Sequence, residues 1–524
     1  MTQIGRTLRE RAVQRRLGAA VLSGVLLALA FPAFNLGLLA LVALVPLLWA
    51  WRDATPWRAA LYGFVFGVVF AGILLYWLWY FGIVAIVPLV AAWAAYTALT
   101  GYLVGCLNRA GLRSSWLSPW LIAAAWVVPE ALRGRWPFGG LPWGDLGVAL
   151  HDFQPARALA SWGGVALVSF VIVVVNAYLA EVAVAVSSHG RSLMVATAGI
   201  AVVVAVVAIA DVARYQARPS GQLRVATLQG NDQDRYLTTE EKARGFLTEH
   251  HFALASRLHG RYDLIVFPES SLDDFSPESN PGLRSRLVAV GRAHGADVLA
   301  NAAVPAPDGR DFNQNLLYTP DGRLAGTYSK EHLVPFGEYV PLRSLVDWTG
   351  IVDRIPYDYT PGKERTIFRV KGHRLATVIC FESAFGPLVR DFVHRGAEVV
   401  VVSTNNRSYR RSGNSEQHIA QTQMRAAETG RPFVQASISG ISAVVDADGN
   451  VRDTTKLFQQ AVVTDTVTTT TGETPYVRFG EWVVVASAVL LLGAAIASRL
   501  RRPPATFPKL PAAEREPVGS GRMT

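Results

Sequence analysis

The 524-residue chain carries two cysteines, and Cys380 closes the apolar run LATVICFESAF (Leu375 to Phe385), two residues before Glu382. A thiol at the end of a strand-like run is ordinarily a small packed hydrophobe. To act as a nucleophile on a carbonyl it needs a base to take its proton and a group to hold the oxyanion. The candidate bases are Glu269 in FPES, Glu338 in PFGEYVP and Glu382. Lys330, in YSKEHLVPFGE, lies in the chain between the Glu269 and Cys380 segments. An ammonium at such a site favours the thiolate and holds a developing negative charge. Histidine is the commoner partner for cysteine, but neither His332 nor His418 follows a strand-like run.

The elements that must position these groups are short aliphatic runs: LRVATLQ (Leu223 to Gln229), LIVF (Leu264 to Phe267), VLANAAV (Val298 to Val304), LATVI (Leu375 to Ile379) and VVVVS (Val399 to Ser403). Helical patterns are read over Thr239 to Leu258, Leu283 to His294 and Ser415 to Thr429. Continuous aliphatic strands alternating with helices predict an α/β domain with strands buried on both faces. Glu269, Cys380 and the Asn405–Asn406 pair each follow such a strand. In open α/β sheets the ligand site lies at the carboxyl ends of the strands, so these groups are expected to converge.

The remainder of the chain is too apolar for an ordinary soluble enzyme: 51% of residues are hydrophobic and 17% charged. Almost uncharged runs of membrane-spanning length are read near Leu17 to Phe34, Leu36 to Trp51, Ala59 to Phe81, Ile83 to Leu107, Trp116 to Leu132, Leu159 to Val186, Leu193 to Val212 and Trp482 to Ser498. The expected layout is a basic N-terminus (1–16), a seven-span bundle (17–212), an extracytoplasmic α/β domain (221–471), a final span (482–498) and a disordered cytoplasmic tail (499–524). Arginines 6, 9, 11, 15 and 16, then 52 and 58, 109 and 113, 191, and 499, 501 and 502 fall on the side this count places inside. Arg133, Arg135 and Arg157 fall outside and break the rule. The net charge of +10 is partly this topology signal, and nothing in its pattern asks for nucleic acid. Cys106 lies in a span and Cys380 in the outer domain, so the two are expected to stay unpaired, and a thiol kept free outside the cytoplasm invites a chemical role.

Gly63 and Gly67, like Gly101 and Gly105, have the small-xxx-small spacing of close helix packing. The loop RGRWPFGGLPWGD (Arg133 to Asp145) reads as an interfacial aromatic belt or as a wall of a lipid site, with Trp143 as a possible substrate contact.

With FPES, YSKEHLVPFGEYVP and VICFES in that chain order, the sequence resembles the nitrilase, or carbon-nitrogen hydrolase, superfamily and its Glu-Lys-Cys triad. The membrane spans on both sides, with the junction ETPYVRFGEW (Glu473 to Trp482), look like the membrane family of that superfamily, the apolipoprotein N-acyltransferases. The resemblance implies a polytopic α-helical bundle of about eight spans joined to an αββα sandwich, in a bacterial cytoplasmic membrane. It implies Cys380 as nucleophile and thioester carrier, Glu269 as general base, Lys330 and the Phe381 N–H at the oxyanion, and Glu338 and Glu382 in support. A phospholipid would donate the acyl chain and a diacylglyceryl-modified apolipoprotein would accept it, with no cofactor and no metal. Arg425, Glu428, Arg431 and Gly440 fit the family as structure beside the site. The chain departs from the family at NNRSYRRSGNSEQH (Asn405 to His418), where Tyr409 stands for a tryptophan and Arg407, Arg410 and Arg411 replace an apolar loop. Asn405, Tyr409 and Arg410 are possible substrate contacts, the arginines toward anionic headgroups. A tethered amidase acting on a small amide and an inactive scaffold are the alternatives.

Overall fold

The computed structural model describes residues 3–112, 116–185, 191–346 and 358–500. The apolar first part forms α1 (Gln3–Ala30), α2 (Val45–Trp51), α3 (Pro56–Leu74), α4 (Ile83–Arg109), α5 (Ser118–Arg133), α6 (Gln154–Ala185) and α7 (Arg191–Val212). Four segments here, Glu10–Ala30, Pro56–Leu74, Ile83–Arg109 and Gln154–Val184, are long and apolar enough to cross a membrane, as is Trp482–Leu500. The other three expected spans are helical but shorter: a 3-10 turn (Gly37–Leu41) followed by α2, the 16 residues of α5, and the apolar part of α7, Ala196–Val212. The eight-span count is consistent with these elements. Arg113, Val186 and residues 501–524, including Arg501 and Arg502, lie outside the described residues, while Arg499 and Leu500 of the expected tail end the last helix.

The glycine pairs do bring helices close together. A Cβ on Gly63 or Gly101 would stand 2.2 Å from the carbonyl oxygen of Thr97 or Ala59, so α3 and α4 meet backbone to backbone. Helix α6 is broken where the sequence gives an unbroken apolar run, because Gly163 and Gly164 leave helical geometry and Gly164 sits at φ +72°. The half-helix that restarts there would leave N–H groups unpaired, and Glu428 of the α/β domain accepts the Val165 N–H at 2.5 Å.

Among the described residues the α/β domain has twelve strands: β1 (Arg218–Gln229), β2 (Leu264–Phe267), β3 (Asp297–Pro305), β4 (Asp311–Tyr318), β5 (Leu324–Ser329), β6 (Phe368–Val370), β7 (His373–Ile379), β8 (Val399–Thr404), β9 (Phe433–Ser437), β10 (Ala443–Val445), β11 (Val451–Thr454) and β12 (Ala461–Thr471). They form two six-stranded sheets, ordered β12-β1-β2-β3-β4-β5 and β11-β10-β9-β8-β7-β6. The central pairings, β1 with β2 with β3 and β7 with β8 with β9, are parallel. The helices are α8 (Thr239–Ala243), α9 (Phe246–Ala255), α10 (Pro281–His294), α11 (Arg343–Val346), α12 (Gly386–His394), α13 (Asn414–Thr429) and α14 (Pro475–Phe479), and α15 (Trp482–Leu500) leaves for the membrane.

Period-two alternation assembles the layers. Leu264 and Val266 of β2 share one core with Leu375 and Ile379 of the facing sheet, whereas Ile265 and Phe267 pack with Phe252 of α9 and Leu287 of α10. The expected helix over Thr239 to Leu258 is two helices, α8 and α9, because Gly245 adopts φ +71° between them. The exceptional arginines are held by partners at the junction: Arg133 by Asp145 (2.7 Å), Arg135 by Glu481, and Arg157 by the Asp448 carbonyl (2.9 Å) and Asn450 (2.5 Å).

Candidate active site

Strands β2, β5, β7 and β8 end at one place, which gathers Glu269, Lys330, Cys380 and Asn405. Cys380 takes φ +53°, a left-handed conformation that a side-chain-bearing residue adopts at a cost, and starts the 3-10 turn Cys380–Ala384. The thiol is buried. Burial and the neighbouring Glu269 charge push its pKa up to about 12, against the Lys330 ammonium, the Thr404 hydroxyl and the Asn405 N–H, which favour the thiolate. The resting group is therefore a thiol, and reaction requires a base.

Lys330 follows β5 and is 1% exposed. Its ammonium donates to Glu338 Oε1 at 2.8 Å and to Glu269 Oε1 at 3.3 Å. Burial opposes this charge, but the Glu269 and Glu338 carboxylates and Cys380 hold the lysine pKa well above its ordinary value. Asn313 of β4 donates to both carboxylates at 2.8 Å, and the Asn405 N–H donates to Glu269 Oε2 at 2.8 Å. Asn313 is itself held by Asn301, which also donates to Asn315 at 3.0 Å.

Glu382 is fully buried and fastens the turn. It accepts from the Ile379 N–H (2.8 Å), the Glu331 N–H (2.7 Å), the His332 N–H (3.1 Å) and the Tyr328 hydroxyl (2.9 Å), so one carboxyl group joins the cysteine turn to the lysine loop. Burial pushes its pKa up to about 7 even with these donors.

The membrane bundle supplies one wall. Trp143 is buried, stacks on Phe381 with ring centroids 6.4 Å apart, and donates its indole N–H to Gln417 at 2.8 Å. Tyr409 meets Trp77 and Phe81 of the bundle at 4.8 and 5.6 Å, and burial beside Cys380 holds its hydroxyl pKa above the usual value. Beyond Phe381 a cleft continues along Phe138 and Gly139 of the bundle loop, opposite His332, Tyr339 and Phe385. The geometry thus gathers Glu269, Lys330, Cys380, Glu338, Glu382, Phe381, Trp143, Asn405 and Tyr409. Arg410 is turned aside, bonding the Asp234 carbonyl and lying 5.0 Å from the Tyr236 ring, and Arg411 bonds Asp234 at 3.3 Å. Sequence reasoning missed Asn313, Thr404 and Gln417; the polar positions inside the strand DFNQNLLY were the available signal for Asn313.

Residues 23–178 match the apolipoprotein N-acyltransferase N-terminal domain, and residues 224–476 match the carbon-nitrogen hydrolase domain. An apolipoprotein N-acyltransferase of Methylococcus capsulatus is 34% identical over 496 residues, covering 92% of this chain and 96% of the relative. One from Geobacter metallireducens is 32% identical over 507 residues, covering 92% and 95%. Among solved structures, a CN-hydrolase superfamily protein of Xanthomonas campestris aligns with 52% of this chain and 97% of its own at 20% identity and a TM-score of 0.37. With one domain match on each side of the bundle–domain junction and relatives of 34% and 32% identity along nearly its whole length, the chain belongs to the apolipoprotein N-acyltransferase family.

Proposed function

We propose that this membrane enzyme N-acylates lipoproteins by a two-step transfer through Cys380. In the first step Glu269 takes the thiol proton, Sγ attacks an ester carbonyl of a phospholipid, and the C–O bond breaks as the proton passes to the departing lysophospholipid oxygen. In the second, the α-amino group of the diacylglyceryl-modified N-terminal cysteine of an apolipoprotein attacks the thioester. A C–N bond forms, the C–S bond breaks, and the amine proton returns through Glu269 to the thiolate. Lys330 and the Phe381 N–H hold the oxyanion in both steps.

The observation that carries this reading is the buried ammonium of Lys330, shared by Glu269 and Glu338, beside the buried thiol of Cys380. Such a thiol is inert without an adjacent base, and the charges that would activate it are already in place. The bundle wall at Trp143 and Tyr409 supports substrates delivered from a membrane, which a small soluble amide would not need. The active site faces the extracytoplasmic side in this reading, in keeping with the arginine distribution.

The test is intact mass spectrometry of the purified protein and of Cys380→Ala after incubation with a defined phospholipid. A fatty-acyl adduct that is removed by hydroxylamine and absent from Cys380→Ala is expected. Persistent absence of an adduct on a protein shown to bind that lipid would refute the acyl-enzyme route.

A further inference from the structure

His418 takes no part in the two steps above, yet it is 1% exposed and lies directly behind the nucleophile. Its Nε2 is 3.1 Å from the carbonyl oxygen of Cys380. A peptide carbonyl only accepts, so this contact is a hydrogen bond when the proton is on Nε2. Ser383 Oγ, 2.7 Å from the same nitrogen, shares that proton. On the other edge Nδ1 faces Asn406 Nδ2 at 3.3 Å, a donor whose second hydrogen goes to Asn414 Oδ1 at 2.7 Å. Thr404 Oγ1, 3.5 Å from Nδ1, is the more distant neighbour on that edge, so the closer Asn406 donor and the Cys380 carbonyl together select the tautomer with Nε2 donating and Nδ1 accepting. Burial pushes the imidazole pKa down to about 4, so the ring stays neutral in the working range.

The bond to the Cys380 carbonyl reaches past that oxygen. The Cys380–Phe381 peptide is trans and planar, so the Phe381 N–H points opposite to the Cys380 C=O. A donor fixed on the carbonyl sets the direction of the N–H at the far end of the same plane. It also polarises the amide, which strengthens that N–H as a donor. The plane needs such a restraint because Cys380 is held at φ +53°, away from its preferred regions. We infer that His418 is a positioning residue for the oxyanion site, orienting the Phe381 N–H through its hydrogen bond to the Cys380 carbonyl. This rests on the acyl-enzyme reading, since it gives the Phe381 N–H an oxyanion to hold.

The test compares the full-length protein with His418→Gln and His418→Phe in detergent. The glutamine side-chain amide reaches the same carbonyl, whereas phenylalanine fills the space without a donor. The readouts are the rate of thioester formation at varied phospholipid concentration, followed by mass spectrometry, and thermal unfolding. Loss of one aimed oxyanion donor typically costs 10²–10³-fold, and a loosened one less. His418→Phe is therefore expected to lower the saturating acylation rate about 10- to 100-fold, with the half-saturating phospholipid concentration within about twofold. His418→Gln is expected to recover most of the rate. The inference fails if His418→Phe acylates like wild type, or if His418→Gln is as slow as His418→Phe while unfolding at the wild-type temperature. Should His418→Phe not fold, His418→Gln alone decides: near-wild-type acylation supports the donor role, and a folded but slow enzyme overturns it. A wild-type protein that forms no thioester overturns the parent reading and this inference together, a result distinct from either of the others.

Discussion

The Lys330 ammonium lies closer to Glu338, at 2.8 Å, than to Glu269, at 3.3 Å. The lysine is thus anchored chiefly by Glu338, which moves no proton in the proposed mechanism and leaves Glu269 freer for the role of base proposed for it. Glu338→Gln keeps the shape and removes the anchoring charge, so the ammonium becomes costlier to hold in its buried site. Thioester formation is expected to slow by about 10- to 100-fold. An unchanged rate of adduct formation would mean that Glu269 alone suffices.

Gln417 satisfies its side-chain amide completely with groups of the bundle. Its oxygen accepts the indole N–H groups of Trp77 (3.1 Å) and Trp143 (2.8 Å), and its nitrogen donates to the carbonyls of Pro32 (2.9 Å) and Leu74 (3.0 Å). Gln417→Leu would strand two buried donors and two acceptors, at about 1–3 kcal/mol for each group that finds no other partner. A fall in thermal unfolding temperature of about 5 °C or more in detergent is expected. A shift below 1 °C would show that water replaces these bonds.

Of the arginines after β8 that the sequence offers for headgroup recognition, Arg410 and Arg411 have partners within the α/β domain. Arg411 bonds Asp234 and lies 5.3 Å from the Phe458 ring, and Arg410 is held on Asp234 and Tyr236. Arg411→Ala is expected to change the acylation rate by the same factor with anionic and zwitterionic phospholipids. A selective loss with the anionic donor would reinstate the headgroup contact.

His251 supplies a pH dependence far from the chemistry. Its Nδ1 donates to the Leu247 carbonyl (2.7 Å), its Nε2 accepts the Gly230 N–H (3.1 Å), and burial pushes its pKa down to about 4. A folded pKa below the unfolded value near 6.5 stabilises the protein above pH 6.5, and this stability is lost as the pH falls toward 4. The contribution is at most about 3 kcal/mol. Glu382 and Glu428, with pKa values pushed up by burial to about 7, act in the opposite sense over part of that range, so the histidine must be isolated by difference. His251→Gln should lose less unfolding temperature than wild type between pH 6.5 and 4, and parallel curves would contradict this assignment.

The sequence exposed Glu269, Cys380 and Asn405 because each follows an aliphatic run with a distinct residue type, whereas Lys330, after the mixed strand LAGTYS, shows only in its motif. Glu269, Cys380 and Asn405 announce themselves where LIVF, LATVI and VVVVST stop. The groups that hold them were less legible. Asn313 sits among three consecutive amides, Asn313, Gln314 and Asn315, a polar run with no period-two pattern to mark a buried face. Helix α13, NSEQHIAQTQMRAAET, reads as a half-exposed polar helix, yet every residue from Asn414 to Thr429 except Glu416 is buried. Its polar side chains meet partners on the bundle as well as on the sheet, and no one-dimensional pattern shows that both flanks will be covered. The break in α6 was hidden for a related reason: Gly163 and Gly164 lie in a run apolar enough to pass as continuous helix.

That break bears on the order in which the protein can be made. The Val165 N–H is paired by Glu428, a residue 263 positions later in the chain. When α6 leaves the ribosome its partner has not been synthesised, and a contact across so long a stretch of sequence forms late in folding. The bundle therefore passes through a stage in which one restarted helix end lacks its acceptor, and translation of the α/β domain through α13 closes it. The restarted end of α6 is thus completed by the α/β domain and not by the bundle alone.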